Sequence, residues 1–301
     1  MNTQTDNEPK SFREQLEILK NRGMVIEDDQ IALKYLQNVN YYKISGYTYF
    51  FRDTQSINIE KFKSNTSLSQ IINIINKDEA LRAVMLKSIL RIENSFKCKL
   101  AYELSMSDLG RLGYLERKKE TYLNLEHFDL FIATLNKRKK QMKHTKYIKH
   151  YNEKYNGFLP LWVAIEILSF GETSMLYRNL RPKYKGLITK YFFLEYEVLY
   201  SWISTVSAIR NMCAHNDRLY KNTVKSAPRQ VDGLYIDSSM ASGIKIITCL
   251  SDDISRLEFI KEINDLRKPS ATAFKTAYRL SNNWDKKVNS FLASRNNKPA
   301  K

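Results

Sequence analysis

The chain has 301 residues, of which 43% are hydrophobic and 12% aromatic, a composition that excludes a disordered polymer and suits one large domain or two modest ones. Lys and Arg number 49 against 32 Asp and Glu, so the formal net charge is +17. A field of that sign attracts nucleic acid or another polyanion, although a general lysine-rich bias of the proteome would give the same excess.

The N-terminal part of the chain contains three short helical patterns. Residues 11–22 carry an apolar stripe that ends at Gly23, which stands at a C-cap-like position. Asp28 or Asp29 can cap a second helix. The aromatic-rich residues 40–52 could suggest a strand, but their helical neighbours favour a buried helical turn.

The longest predicted helix follows a cap at Thr66 or Ser67 and continues to about Leu104. No Pro or Gly interrupts it, and a helix of that length needs a bundle around it. A second long helix is predicted over residues 126–155, which include a strongly basic stretch with interleaved tyrosines.

The next segment, residues 160–180, is expected to form two helices separated at Gly171, with Trp162 in the core. Pro182 can start a short helix in its first turn. Residues 195–214 form a clear amphipathic helix. Its core-facing stripe consists of Trp202, Val206 and Ile209.

The least helical region is residues 221–248, where we expect an irregular insertion or a short hairpin between 234–236 and 244–247. Helices resume over about 253–266 and 283–293. The fold class is therefore all-α.

Three regions are predicted along the chain: N-terminal helices over 1–65, a helical core over 66–220 and a helical extension over 221–301. The cysteines are odd in number and show neither a CxxC pair nor zinc-ligand spacing with His. The N-terminus is polar, and no apolar run is long enough to cross a bilayer. We expect a cytoplasmic protein without a metal, a cofactor or a membrane contact.

The segment that can carry chemistry is residues 207–220, where an apolar helix ends in a polar cluster. Arg210 and Asn211 belong to its last turn, and His215 stands at or just past its end. Five residues advance a helix by about 500°, which leaves Arg210 and His215 roughly 140° apart. They can converge if the helix ends before His215, or if two copies of the chain meet.

This set of side chains suits metal-independent RNA cleavage, in which the 2′-hydroxyl of the RNA is the nucleophile. His215 can act as general base or general acid near neutral pH. Arg210 can stabilise the charge on the phosphorane, and Asn211 can orient a phosphate oxygen or the histidine. Expected products are 2′,3′-cyclic phosphate and 5′-hydroxyl ends.

The motif Arg210-Asn211-x-x-x-His215 is similar to the Arg-x4–6-His signature of HEPN ribonucleases. The wider sequence resembles Abi-like (abortive infection, AbiD and AbiF type) phage-resistance proteins. The matching elements are Tyr41-Tyr42-Lys43-Ile44-Ser45-Gly46-Tyr47, Leu81-Arg82, Ile92-Glu93, then Pro160, Trp162, Glu166, Phe170 and Gly171, and finally the segment from Arg210 to Tyr220. The resemblance covers roughly residues 10–220.

The resemblance implies a HEPN-like helical bundle and a ribonuclease or RNA-binding toxin that acts against phage. It also implies a noncoding RNA partner in the AbiF-like branch, and a homodimer because one chain supplies one motif. Two alternatives stay open. One is a non-catalytic module that holds a structured noncoding RNA, and the other is a protein-interaction scaffold that senses a phage component. RNA binding should weaken steeply with salt, unlike scaffolding.

Further residues are expected to support the site or contact RNA. Glu93 and Glu166 are expected to position arginines such as Arg210. Arg218 and Tyr220 can contact RNA, or Arg218 can pair with Asp217. The basic stretch is either a solvated helix face or an RNA-backbone contact. Its candidate RNA-binding residues are Lys137, Arg138, Lys139, Lys140, Lys143 and Lys146.

Overall fold

The computed structural model describes residues 8–56, 60–268 and 271–296, and all regular structure in these ranges is helical. Outside the helices, backbone pairing in these ranges is limited to isolated bridges. The all-α fold class is confirmed. The described α-helices are α1 (Phe12–Asn21), α2 (Asp29–Asn38), α3 (Tyr41–Thr48), α4 (Leu68–Met106), α5 (Leu125–Gln141), α6 (Lys146–Lys154), α7 (Leu161–Ala164), α8 (Phe170–Asn179), α9 (Pro182–Thr189), α10 (Tyr196–Ala214), α11 (Met240–Leu250), α12 (Asp253–Arg267), α13 (Ala271–Tyr278) and α14 (Trp284–Asn296).

Three short 3₁₀ helices, Tyr49–Phe51, Gly113–Leu115 and Ile165–Ile167, complete the described elements. The chain forms two compact units, Met1–Leu81 and Arg82–Lys301. The division into three regions (1–65, 66–220 and 221–301) that the sequence predicts differs from these two units and stays a prediction. Among the described helices, none combines the length and the apolar character that a bilayer crossing requires.

The N-terminal unit begins with α1 and α2, which pack against each other. A capping box between Ser11 and Glu14 starts α1, and the positive φ of Gly23 (87°) turns the chain after it. The Asp28 side chain caps α2, as predicted. The expected stripe of α1 is buried except at Phe12, which is 43% exposed.

The aromatic segment of this unit folds as α3 followed by a 3₁₀ turn, in agreement with the predicted helical turn. Only part of it is buried. The Tyr47 hydroxyl donates a hydrogen bond of 2.7 Å to the carboxylate of Asp78, and both side chains lie in the interior. Tyr42 and Tyr49 point to solvent, because side chains project all around a helix axis and the aromatic residues here do not fall on one face.

The second unit is organised around α10, which packs against α8, α9 and α11. The predicted stripe of Trp202, Val206 and Ile209 is fully buried. On α4, Phe96 packs edge-on against Tyr177 of α8, with 5.4 Å between the ring centroids. This packing holds α4 against α8.

The predicted hairpin is wrong, because residues 240–250 form α11. Every residue of α11 is buried, including Lys245. A short helix that is buried on all sides is hard to recognise from the sequence, and its three isoleucines are typical of a strand. The predictions of helices at Pro182 and over 195–214, 253–266 and 283–293 are confirmed.

Two further boundaries differ from the prediction. The helix expected over residues 126–155 is interrupted between Met142 and Thr145, so that α5 and α6 are separate. The break expected at Gly171 instead falls one turn earlier, at Leu168, where the backbone is extended. The Ser169 side chain then starts α8 through a capping box, which places Gly171 inside the helix.

Candidate functional site

The candidate site lies at the C-terminal end of α10, where a Schellman motif ends the helix. His215 is the C-cap, and Asn216 has a positive φ of 59°. The Asp217 N–H donates to the carbonyl of Met212 at 2.9 Å, and the Asn216 N–H donates to that of Cys213 at 3.3 Å. The helical path therefore continues up to His215, and the chain reverses only after it.

This termination decides which motif residues share a face of α10. Because Asn211 and His215 are four residues apart, they lie roughly 40° apart around the axis and both are exposed. Arg210 lies roughly 140° from His215 on the same helix. Asn211 and His215 therefore lie on the same face of the helix, whereas Arg210 faces a residue of a neighbouring helix.

That neighbour is Glu93 of α4. The Nε atom of Arg210 lies 3.7 Å from Oε2 of Glu93, and neither atom has a hydrogen-bond partner among the described residues. The Arg210 side chain is 32% exposed, whereas that of Glu93 is 8% exposed. Part of the guanidinium thus stays open to solvent while its inner edge faces a buried carboxylate.

The same carboxylate also binds Lys97, one helical turn further along α4. Its Oε1 atom lies 2.9 Å from the Lys97 ammonium, which also donates to the carbonyl of Leu168 at 2.7 Å. Our sequence expectation did not include Lys97. The sequence does contain a signal for it. Glu93 and Lys97 are four residues apart on the buried face of a long helix, where two opposite charges must compensate each other.

Glu166, the other predicted supporting carboxylate, has a different environment. It is exposed on the 3₁₀ helix Ile165–Ile167 and forms no ion pair with Arg210 among the described residues. The expectation depended on its apolar neighbours in the sequence, and these are buried, but the 3₁₀ turn leaves Glu166 itself exposed. Of the two carboxylates, the structure brings only Glu93 to the motif.

The residues after the motif are anchored to the rest of the second unit. Arg82 donates a hydrogen bond of 3.2 Å to the backbone carbonyl of Asp217. Arg218 is half-buried, and Tyr220 is buried with its ring edge-on to Tyr278 at a centroid distance of 6.3 Å. Of the two predicted RNA contacts, Tyr220 is therefore part of the core, whereas Arg218 retains accessible surface for a ligand.

The basic stretch divides into structural and solvent-facing cations. Arg138 forms an ion pair with Glu172 at 3.0 Å, and the ammonium of Lys139 donates to the carbonyl of Gly157 at 2.5 Å. Burial lowers the pKa of Lys139 from its usual range. Of the six candidate RNA-binding residues of the stretch, Lys137, Lys140, Lys143 and Lys146 are exposed. These four can contact a polyanion without breaking an internal contact.

Metal ligands can be assessed for the part of the chain that the structure describes. Within it, no group of three or more His, Cys, Asp or Glu side chains could hold a metal ion. The chemistry available at the end of α10 is thus that of an arginine, an amide and an imidazole.

Comparison with known proteins gives one match. The sequence model of the family described as Abi-like protein matches residues 34–221, which is more than half of the chain and includes the whole motif. Comparisons with curated proteins and with solved structures each found no match.

Proposed function

We propose that this chain, which belongs to the Abi-like protein family of abortive-infection phage defence, is a metal-independent endoribonuclease of the HEPN type. The observation that supports this proposal is the arrangement of side chains at the C-terminal end of α10. His215 and Asn211 lie on one exposed face, and the buried carboxylate of Glu93 faces Arg210 from the interior. These three motif side chains match the needs of RNA transesterification.

In the proposed reaction the 2′-hydroxyl of the RNA attacks the adjacent phosphorus and loses its proton to a base. The bond to the 5′-oxygen breaks, and that oxygen takes a proton from an acid, which gives a 2′,3′-cyclic phosphate and a 5′-hydroxyl end. His215 serves as one of these proton-transfer groups. Arg210 stabilises the negative charge of the phosphorane, and Asn211 orients the phosphate or the imidazole.

A homodimer is part of this proposal. Arg210 and His215 lie on different sides of α10, so a single copy directs them to different regions of solvent. In a symmetric pair, Arg210 of one copy and His215 of the other can face the same phosphate. The exposed cations Lys137, Lys140, Lys143 and Lys146 would bind the RNA backbone, and a cognate noncoding RNA would act as the antitoxin.

The test uses the full chain and total RNA in the presence of EDTA. Wild type should cleave, leaving cyclic-phosphate ends, and His215→Ala should lower the rate by about 10²–10⁴-fold. Arg210→Ala should also be inactive, whereas Arg210→Lys should retain a small activity because the charge remains without the planar fork. Arg111→Ala removes an exposed arginine elsewhere on the chain and should cleave as wild type does.

Co-expression tests the dimer. When Arg210→Ala and His215→Ala chains are produced together, mixed dimers contain one intact composite site, so cleavage should partly return. Cleavage that persists in both single variants would refute the assignment of the site. If no variant cleaves and all retain one discrete RNA, the non-catalytic RNA-binding function is the correct one.

A further inference from the structure

A cavity lined largely by charged and polar residues lies beside the N-terminal half of α10. Its volume is about 420 Å³, within the range of roughly 300–1,000 Å³ that is typical of small-ligand pockets. Residues of α5, α8, α9 and α10 line it, together with Arg229. Tyr200, one of the lining residues, precedes Arg210 by ten positions, which corresponds to about 15 Å along the helix. The cavity is therefore separate from the Arg210–His215 motif.

Lys185 is the most unusual residue of this cavity. Its side chain lines the cavity, yet the residue is only 6% exposed. Among the described residues its ammonium forms no hydrogen bond or ion pair, and it lies 5.3 Å from the centroid of the Tyr196 ring. Burial lowers the pKa of Lys185, Glu197 raises it, and the positive charge of Arg178 lowers it again. The ammonium of this largely buried side chain thus opens onto the cavity, and among the described residues no carboxylate lies within ion-pair distance to compensate its desolvation.

Two arginines add positive charge to the same cavity. The guanidinium of Arg178 lies 5.2 Å from the centroid of the Tyr200 ring and forms no ion pair among the described residues. The backbone of Arg229 is held in place, because its N–H donates to Ser201 Oγ at 2.8 Å and its carbonyl accepts from Trp202 Nε1 at 3.0 Å. Glu197 is the one carboxylate among the described lining residues. Three cations thus converge on a cavity with a single acid.

We propose that this cavity binds a nucleoside phosphate. The phosphate would take the position of the missing counter-ion of Lys185, where the planar fork of Arg178 can bind two of its oxygens. The base would stack on the tyrosine rings or on the guanidinium plane, surfaces on which nucleic-acid bases commonly stack. The ligand is either a free nucleotide or the phosphorylated end of an RNA. The proposal does not depend on ribonuclease activity.

The test measures binding of AMP, adenosine and a short 5′-phosphorylated oligoadenylate to the full chain by calorimetry. AMP should bind saturably, and adenosine at least about tenfold more weakly, because charge-assisted hydrogen bonds to the phosphate are lost. Lys185→Met and Arg178→Gln should each weaken AMP binding by about tenfold or more. Lys183→Met removes the same charge from an exposed position of α9 and should change the affinity by less than about twofold.

The outcomes separate the two sources of the ligand. Binding of AMP that depends on Lys185 and Arg178 identifies a free-nucleotide site. Binding of the oligonucleotide alone, with the same dependence, identifies a site for an RNA end. Arg210→Ala should bind AMP as wild type does, which separates this site from the proposed nuclease. The proposal is overturned if neither probe binds saturably, or if Lys185→Met, Arg178→Gln and Lys183→Met bind equally well. Arg178 is exposed, so its replacement leaves the core intact.

Discussion

Glu93 lies behind Arg210, with Oε2 3.7 Å from the Nε atom, and its other oxygen binds the ammonium of Lys97 at 2.9 Å. One buried carboxylate thus faces two cations from two different helices. Removing the Glu93 carboxylate would leave Lys97 buried without a counter-ion. It would also remove the negative charge that faces the guanidinium of Arg210. The carboxylate therefore connects the stability of the bundle to the geometry of the motif.

Glu93→Ala should lower the free energy of unfolding by about 3–5 kcal/mol, the usual result of removing one partner of a buried ion pair. Urea denaturation measures this loss. Glu258→Ala is the matched control, because Glu258 binds Lys87 and Arg91 of the same helix α4 at the surface, and its loss should be much smaller. Similar losses in the two variants would contradict a buried role for Glu93.

A double-mutant cycle tests the shared charge directly. Glu93→Ala combined with Lys97→Ala should cost less than the sum of the two single variants, because the double variant no longer leaves a buried Lys97 without a counter-ion. Glu93→Gln should also lower the RNA-cleavage rate. In a chain that already carries Arg210→Ala, adding Glu93→Gln should not lower that rate further. Strict additivity in stability would show that the 2.9 Å contact contributes nothing.

The left-handed conformation of Asn216 gives a second prediction. Its φ of 59° permits glycine and asparagine, whereas a residue with an ordinary Cβ costs about 1–2 kcal/mol there. Asn216→Gly should therefore be at least as stable as wild type, and Asn216→Ala less stable by about 1 kcal/mol. Asn136→Ala, at an exposed position inside α5, should instead stabilise by a few tenths of a kcal/mol. Equal stability of the two Asn216 variants would disprove the strain.

The cysteines should differ sharply in reactivity. Burial raises the pKa of Cys249 to about 12, even though Arg256 and Lys245 lower it, whereas Cys98 is exposed. Because the thiolate is the nucleophile, iodoacetamide at pH 8 should label Cys98 in the folded protein and leave Cys249 unlabelled. Peptide mass spectrometry with and without urea measures the difference. Equal labelling rates in the folded protein would contradict the burial of Cys249.

Helical periodicity was sufficient to predict elements that have one apolar face. The stripe of α10 and the long pattern of α4 both gave the correct element, because each helix buries one side and leaves the other in solvent. The same reasoning failed for α11, which is buried on all sides and whose isoleucines are as typical of a strand as of a buried helix. It also missed the break between α5 and α6, since no Pro or Gly marks it.

For the site, the sequence predicted the order of Arg210, Asn211 and His215 at the end of a helix, and the structure agrees. It named Glu93 and Glu166 as possible partners of Arg210 but could not decide which of them meets it across helices. The approach of Glu93 to Arg210 depends on how α4 packs against α10, and contacts between distant segments leave no periodic signal in the sequence. The cavity around Lys185 was missed for the same reason, because its cations come from three separate segments.

The close approach of α11 to α10 gives the last prediction. A Cβ added to Gly243 would overlap Cδ1 of Ile209 and lie 3.8 Å from Cε of Met85. Overpacking of a core costs about 1–3 kcal/mol, against a helix-propensity gain of about 1 kcal/mol for alanine over glycine. Gly243→Ala should therefore destabilise or at best be neutral. Gly46→Ala, where the new methyl group meets no atom within 4 Å, should stabilise.

Ile209→Val removes the overlapping methyl group and separates overpacking from other effects. Alone it should cost about 0.5–1.5 kcal/mol, but in its presence Gly243→Ala should become stabilising, so the two changes are strongly non-additive. Because Ile209 precedes Arg210, a shift of α10 forced by Gly243→Ala should also reduce RNA cleavage, and Ile209→Val should restore it. Thermal denaturation and cleavage rates of the four proteins in this cycle measure both effects. If Gly243→Ala has the same stability effect in both backgrounds, the helices are not in contact at this position.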